Sequence, residues 1–182
     1  MPQPWNDWYH VVSHVYGSWL RGDPRGWRCR NHKLHVQGDY KRPPKAGEFD
    51  SLHARSRALM KRPAVYVQAD LRQIVAEAVV DKLESDGIEV LVLSVDAEHV
   101  HLLGRFRDHE PRHWVGRAKK NASHVVRQQG LRADKGGLWA KCSRPKAIRD
   151  RAHQLNTFYY IMDHGKRGAA VWTFRQKKKA NG

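Results

Sequence analysis

Two pairs of side chains have the types and spacings that a metal site or a catalytic site could use. His99 and His101 flank one apolar residue in "VDAEHVHLLGR". Residues two apart on a β-strand project from the same face, so both imidazoles would point one way and could hold a divalent metal. In "YYIMDH", Tyr160 and His164 are four residues apart, which places them on one face of a helix. A His-x-His pair also arises by chance in a chain with 12 histidines, so the surrounding elements decide its meaning.

The elements before the paired histidines alternate between strand and helix patterns. The segment "WYHVVSHV", residues 8 to 15, has the β-branched and aromatic content of a strand. Asp70 is a candidate N-cap for a helix whose apolar residues recur at helical spacing until Gly87. The apolar run of residues 88 to 95 indicates a buried strand. A turn over residues 96 to 98 then leads into the histidine strand.

The elements after the paired histidines begin with a helix from Pro111 to Gln129. Four apolar residues could pack on the sheet: Trp114, Ala118, Ala122 and Val125. Four basic residues form a stripe on another face: Arg117, Lys120, His124 and Arg127. This stripe either contacts phosphates or is an ordinary solvated face. The segment "LWAKCS" reads as the next strand.

A third helix follows from Pro145, with a narrow apolar stripe that predicts packing on the body of the protein. The stripe comprises Ile148, Ala152, Leu155, Tyr159 and Met162. Tyr159 is then the structural tyrosine, and Tyr160 lies on the polar face with His153, Thr157 and His164. Tyr160 is therefore the candidate for chemistry. Beyond His164, the segment "GKRGAAVWTF" could add a short strand.

The order of these elements predicts an α+β protein with a ferredoxin-like split βαβ sandwich. Two helices would cover one face of an antiparallel sheet, and an additional C-terminal helix would carry the tyrosine. We expect one catalytic domain over residues 1 to 174 and a basic, disordered tail over residues 175 to 182.

A long basic segment interrupts the periodic pattern between residues 17 and 62. Trp19, Trp27 and Arg28 belong to a group that could stack on bases and grip phosphates, although a solvated excursion is an equal alternative. The cluster Cys29, His32 and His35 could ligate zinc, but it lacks a fourth ligand at a familiar spacing, which argues against a zinc site.

Composition narrows the class of partner. The chain has 34 Lys and Arg against 18 Asp and Glu, a formal charge of +16 that is typical of proteins that neutralise nucleic-acid phosphates. The alternative is a basic protein whose charge only keeps it soluble. Two distant cysteines indicate neither a disulfide framework nor a thiolate zinc site, and no stretch is long enough to span a bilayer. We therefore expect a cytoplasmic, nucleoid-associated protein.

Three motifs together resemble the HUH single-tyrosine transposases, IS200-like, and in particular the REP-associated group. They are the strand and turn leading to His-hydrophobic-His-Leu-Leu in "LSVDAEHVHLLGRF", the tryptophan-containing strand "GLWAKCS", and Tyr160 with a polar residue four positions later. Relatives usually have Asn or Gln where His164 stands, which affects metal preference. The segment between the first strand and the first helix is also unusually long.

The resemblance implies an enzyme that cleaves and rejoins single-stranded DNA through a 5′-phosphotyrosine on Tyr160. His99, His101 and His164 would hold Mg²⁺ or Mn²⁺, and the substrate would contain a hairpin. Arg117, Lys120 and Arg127 would contribute to nucleic-acid binding, and a homodimer is compatible with the family. The general base stays unassigned, with His153 as a distant helper.

Two alternatives come from other classes of protein. A domesticated relative could bind a DNA hairpin without cleaving it. A phosphoesterase or RNA nuclease could use paired histidines as general acid and base. His10 and His14 lie four apart on the first strand and do not form a second His-x-His pair, which argues against the nuclease.

Overall fold

The sheet has five antiparallel strands, and the histidine strand lies at its centre. The computed structural model describes residues 3 to 23, 47 to 130 and 136 to 174. The strands, numbered β1 to β5 along the chain, are Trp8–Val15, Glu89–Val95, His99–Arg105, Trp139–Ala147 and Ala170–Thr173. Their spatial order is β4-β1-β3-β2-β5. This is the predicted ferredoxin-like order with β5 added beside β2.

Helices cover both faces of this sheet. The α-helices, numbered α1 to α4 along the chain, are Asp50–Ala58, Arg72–Ser85, Pro111–Gln128 and Arg151–Met162. Alternate residues of the strands divide between two apolar clusters, as the pleat requires. Leu102 of β3 packs in the cluster formed with α2 and α3, whereas its neighbour Leu103 packs with Ile161 of α4. The predicted α+β sandwich is confirmed, with α2 and α3 on one face and α4 on the other.

The register of the sheet lines up the histidines of two strands. In the antiparallel pairing of β1 with β3, His14 lies opposite His99, and Val12 lies opposite His101. Directly paired residues of an antiparallel sheet project to the same face. The polar row therefore lies on the α4 face, while Val100 and Leu102 point into the core beneath α2 and α3, as predicted.

The long segment between β1 and α2 contains a helix that the sequence pattern did not predict. Helix α1 has no buried residue in the described structure, so it lacks the apolar periodicity that signals a helix. The predicted N-cap Asp70 is also wrong, because it lies inside a 3-10 turn, Ala69–Leu71, and α2 begins one residue after that turn. None of the described helices combines the length and hydropathy that crossing a bilayer would require.

Helix α3 ends at Gln128, one residue before the predicted end, and its buried face is displaced from the predicted one. Trp114 and Val125 are only partly buried against the core. The buried positions of α3 are Pro111, Val115, Ala118, Lys119, Ala122 and Val126. Lys119 is included in this buried face because its Nζ donates to the Ala140 carbonyl at 2.9 Å, which satisfies the buried ammonium.

The predicted packing of the third helix is wrong. Pro145 belongs to β4, and α4 starts at Arg151 after Asp150, whose side chain accepts a hydrogen bond from the His153 amide. The most apolar stripe faces solvent, since Leu155, Tyr159 and Met162 are exposed. The buried residues of α4 are Gln154, Thr157 and Ile161. Tyr159 is therefore not the structural tyrosine.

Candidate functional site

Three histidines from two parts of the chain converge on the α4 face of the sheet. His99 and His101 project from β3, and His164 lies in the 3-10 turn Asp163–Arg167 that directly follows α4. One ligand atom from each of the three lies within 4.8 Å of the others. His101 and His164 are buried and His99 is half-buried, so the three nitrogens converge at the edge of the interior rather than in open solvent.

The hydrogen bonds of the three rings determine which nitrogen faces the centre. His164 Nδ1 lies 2.9 Å from the Tyr160 carbonyl oxygen, which can only accept, so Nδ1 carries the hydrogen. His99 Nδ1 lies 2.9 Å from a carboxylate oxygen of Asp96. The neutral imidazole of each then has its lone pair on Nε2.

The hydrogen bonds of His101, the third histidine, indicate whether the three rings suit a metal ion. Its Nδ1 is 2.9 Å from Nε2 of His10. Its own Nε2 is buried and has no hydrogen-bond partner among the described residues. A buried nitrogen without a partner is costly, and a metal ligand normally uses one ring nitrogen while the other is held by a neighbour. The three-histidine set therefore fits a metal ion bound through Nε2 atoms.

Burial keeps the imidazoles of His10 and His101 neutral. Desolvation lowers the pKa of His10 to about 4, with further lowering by Lys146, His153 and His164. Desolvation also lowers the pKa of His101, to about 2, and nearby histidines add to that effect. Metal ligation requires the neutral ring, so at neutral pH no proton competes for His101.

Asp96 connects the geometry of the hairpin turn to the site. Its Oδ1 accepts hydrogen bonds from the amides of Glu98 and His99, each at 2.7 Å, while its Oδ2 contacts the His99 ring. Burial would raise the pKa of Asp96, but the His99 side chain and the two amides outweigh it and lower the pKa to about 2. One carboxylate thus shapes the β2-β3 turn and orients the His99 ring.

Tyr160 stands over the histidines, whereas Tyr159 does not. The Tyr160 ring makes edge contacts with His164, His101 and His10, at centroid separations of 4.8, 5.4 and 6.1 Å. The only ring contact of Tyr159 within the described residues is with Phe158. Tyr160 remains about half exposed, at 49%, so part of its side chain is accessible from solvent. The predicted pairing of Tyr160 with His164 is found in the structure.

Sequence reasoning missed two histidines of β1. His10 stacks on His101 at 5.2 Å, and His14 lies 6.0 Å from His99. The signal was present, because residues four apart on a strand share a face just as residues two apart do. What the sequence lacked was the pairing of β1 with β3, which brings both rings to the same row.

The residues predicted to bind nucleic acid are divided by the sheet. Trp19 stacks on His14 at 5.6 Å and so flanks the histidine cluster. The stripe residues Arg117, Lys120 and Arg127 are exposed on α3, which covers the opposite face. Arg117 also lies 3.2 Å from Asp86, which reduces its free charge. Trp27 and Arg28, which were also predicted to bind nucleic acid, lie outside the described residues. The cluster Cys29, His32 and His35 lies outside them as well.

Comparison with known proteins places the chain in a family. A search of curated proteins gave no match. Among solved structures, the chain is similar to a REP-associated tyrosine transposase bound to a REP hairpin, with 14% sequence identity and a TM-score of 0.48, over 92% of this chain and 71% of that chain. The model of the family described as "Transposase IS200 like" matches residues 51 to 163, more than half of the chain. This chain belongs to the IS200-like transposase family.

Proposed function

We propose that this transposase is a metal-dependent enzyme that cleaves and rejoins single-stranded DNA, with Tyr160 as the nucleophile. The observation that carries the proposal is the position of the Tyr160 ring, which touches two of the three histidines whose nitrogens converge. A tyrosine placed against a metal-binding set is the arrangement that an attack on a polarised phosphodiester needs. All of these side chains belong to one chain, so a site can form without a second subunit.

His99, His101 and His164 would hold the ion through their Nε2 atoms. A bound divalent cation would polarise the scissile phosphate and stabilise the negative charge that develops on it. A donor set of three imidazoles favours a transition metal over Mg²⁺, which prefers oxygen ligands. We therefore expect Mn²⁺ to support the reaction better than Mg²⁺.

The reaction conserves the number of phosphodiester bonds. The Tyr160 oxygen forms a bond to phosphorus, and the bond from phosphorus to the 3′-oxygen breaks. The products are a 5′-phosphotyrosine and a free 3′-hydroxyl, with the phenolic proton transferred overall to the 3′-oxygen. The 3′-hydroxyl of another strand can then attack the same phosphorus and release Tyr160, so rejoining needs no ATP.

The electrostatics of the site argue against His10 and His101 as the general acid of a paired-histidine nuclease. General acid-base chemistry needs one imidazole to be protonated at working pH. The pKa of His10 is lowered to about 4 and that of His101 to about 2, mainly by burial, so neither ring carries a proton to donate near neutrality. Neutral rings with inward-facing lone pairs suit ligation instead.

The covalent adduct is the direct test. The protein would be incubated with a labelled single-stranded hairpin DNA from the flanks of its own gene, with Mn²⁺ or Mg²⁺, and run on a denaturing gel. We expect a metal-dependent adduct with the wild type and with Tyr159→Phe. We expect none with Tyr160→Phe or with the His99→Ala/His101→Ala double variant. Tight binding by the wild type without any adduct, across several flanks and both metals, would instead identify a hairpin-binding protein that does not cleave.

A further inference from the structure

We propose that β4 carries a clamp for the phosphate backbone of the single strand, formed by Arg144 and Lys146 beside the histidine centre. This inference rests on the proposed function, and it adds a binding surface to that site. The two residues are exposed and lie on the edge strand of the sheet. Neither is among the basic residues that the sequence pattern singled out.

The register of β4 with β1 directs both side chains to the histidine face. Arg144 lies opposite Val12, which in turn lies opposite His101, so the three form one row across the sheet. Lys146 lies opposite His10, whose ring bonds to His101. Paired residues share a face, and neighbouring strands are about 4.8 Å apart, so Arg144 starts about 10 Å from the His101 backbone.

These distances match the reach of the side chains. Residues two apart on a strand are separated by about 7 Å, so the two cations form a short row rather than a single point. An arginine side chain can span much of the gap to a phosphate at the histidine centre and bind it with two N–H donors. A lysine beside it adds a second point charge on the same side.

The cations of this part of the surface are not held in ion pairs within the described residues. Neither Arg144 nor Lys146 makes an ion pair there. Arg149 follows β4 and is also exposed, and its amide donates a hydrogen bond to His153 Nδ1 at 3.1 Å. Burial lowers the pKa of His153, Arg149 and Lys146 lower it further, and Asp150 raises it. The adjacent carboxylate, Asp150, is engaged by the His153 amide at 2.7 Å.

The basic stripe on α3 differs from the β4 surface in the face of the sheet on which it lies and in its ion pairs. It lies behind the sheet, and its Arg117 and the neighbouring Lys82 both contact Asp86. A strand whose scissile phosphate sits at the histidines meets Arg144 and Lys146 before it can reach α3. The cations of β4 are therefore better placed than those of α3 to hold the reacting segment.

Basic residues on an edge strand have an alternative role, which is to prevent pairing with another sheet edge. Pro145 between the two cations would serve that role as well. The two explanations differ in what they predict for DNA. Edge protection predicts self-association after neutralisation and unchanged DNA binding by the monomer, whereas a backbone clamp predicts weaker binding that depends less on salt.

The test is a titration of a fluorescent single-stranded oligonucleotide, followed by anisotropy at several salt concentrations in the presence of EDTA. The variants are Arg144→Gln, the Arg144→Gln/Lys146→Gln double, and Arg112→Gln as a matched control. Arg112 is an exposed arginine that lines a cavity with Tyr9, Pro145 and Ala147, on the α3 face of the same strand. Size-exclusion chromatography would show the oligomeric state of each variant.

We expect the double variant to bind several-fold more weakly than the wild type. The slope of log affinity against log salt should fall by about 1.4, since each lost contact with a single strand contributes about 0.7. Arg112→Gln should match the wild type in both quantities. An unchanged slope and affinity in the double variant would overturn the clamp and leave the proposed function intact. Failure of the wild type to bind any single strand would overturn both.

Discussion

The two faces of the sheet differ in what they bury. The α2 and α3 face buries a continuous set of mostly aliphatic side chains from three strands, two helices and the loops that join them. The α4 face buries a small apolar cluster of Trp8, Val92, Leu103, Ile148 and Ile161, and next to it the polar histidine centre. One face supplies most of the hydrophobic stabilisation, and the other uses buried area for groups that could do chemistry. Adjacent residues of one strand can therefore differ in role, one packing in the large apolar core and the next lying on the face of the histidine centre.

The largest expected effect separates Leu102 from Leu103, neighbours on β3 that are both almost fully buried. Leu102→Ala opens a cavity under α2 and α3 and should cost about 2–5 kcal/mol in the free energy of unfolding. Urea unfolding would measure that loss. The folded Leu102→Ala protein should bind Mn²⁺ as tightly as the wild type, because the cavity lies on the far side of the sheet.

Leu103→Ala should behave differently, because Leu103 packs with Ile161 of α4. Loosening α4 displaces both Tyr160 and the turn that carries His164. We expect a comparable or smaller loss of stability, accompanied by weaker Mn²⁺ binding in calorimetry. Equal Mn²⁺ affinity in the two leucine variants would show that the faces are not independent in the way their packing indicates.

The next prediction compares Asp96 and Asp108, the aspartates that lie three residues before and three residues after β3. Asp96 and Asp108 each accept a backbone amide hydrogen bond from the residue two positions later. Only Asp96 also holds a proposed ligand, His99, whereas Asp108 accepts from the indole of Trp114. Asp96→Asn should lower Mn²⁺ affinity by about 10- to 100-fold, the usual cost of losing a carboxylate behind a ligating histidine. Asp108→Asn should leave it unchanged, and a similar loss in both variants would assign the effect to the turns rather than to the ligand.

The α4 face of the sheet, which carries the histidines and is the site face, should also make the stability of the metal-free protein sensitive to acid. Burial lowers the pKa of His10 to about 4 and that of His101 to about 2, from an ordinary value of 6.5. Between pH 6.5 and 4 the unfolded chain therefore binds more protons than the folded protein, so stability falls as the pH is lowered. The fall from pH 7 to pH 5 should be about 2 kcal/mol or more, measured by urea unfolding in EDTA.

Two variants would assign that slope to the site face. His10→Phe removes one of the two groups whose pKa is lowered, so the free energy of unfolding should depend less on pH. His124→Phe replaces an exposed histidine of α3 and should leave the pH dependence as in the wild type. A slope that is identical in all three proteins would place the acid-sensitive groups elsewhere.

The sequence predicted the α2 and α3 face better than the α4 face, and the reason is physical. Strand alternation and helical spacing report burial against apolar partners, so the strands, the order of elements and the direction of the paired histidines followed from them. Helix α4 covers a polar centre beside a small apolar cluster, so its buried residues are two polar ones, Gln154 and Thr157, and Ile161. The usual rule of counting apolar residues therefore selects the wrong side. The contact between Tyr160 and His164 was still predicted, because their spacing reflects helix geometry rather than hydropathy.

Two further parts of the site depend on pairing that one-dimensional patterns do not contain. His10 reaches His101 only because β1 pairs with β3, and Arg144 enters the row of His101 only through the pairing of β4 with β1. Helix α1 was missed for a related reason, since it buries no residue in the described structure.

The smallest expected effect is on the exposed stripe of α4. Leu155 is 42% exposed, so Leu155→Ala removes few buried contacts, and alanine is the better helix former. The free energy of unfolding should change by less than about 0.5 kcal/mol in urea titrations, as for other surface substitutions. Ile161→Ala is the matched control on the inward face of the same helix and should cost about 2–4 kcal/mol, because Ile161 is fully buried. Should Leu155→Ala instead cost as much as Ile161→Ala, the apolar stripe would have to be covered in solution, and α4 would present two buried faces rather than one.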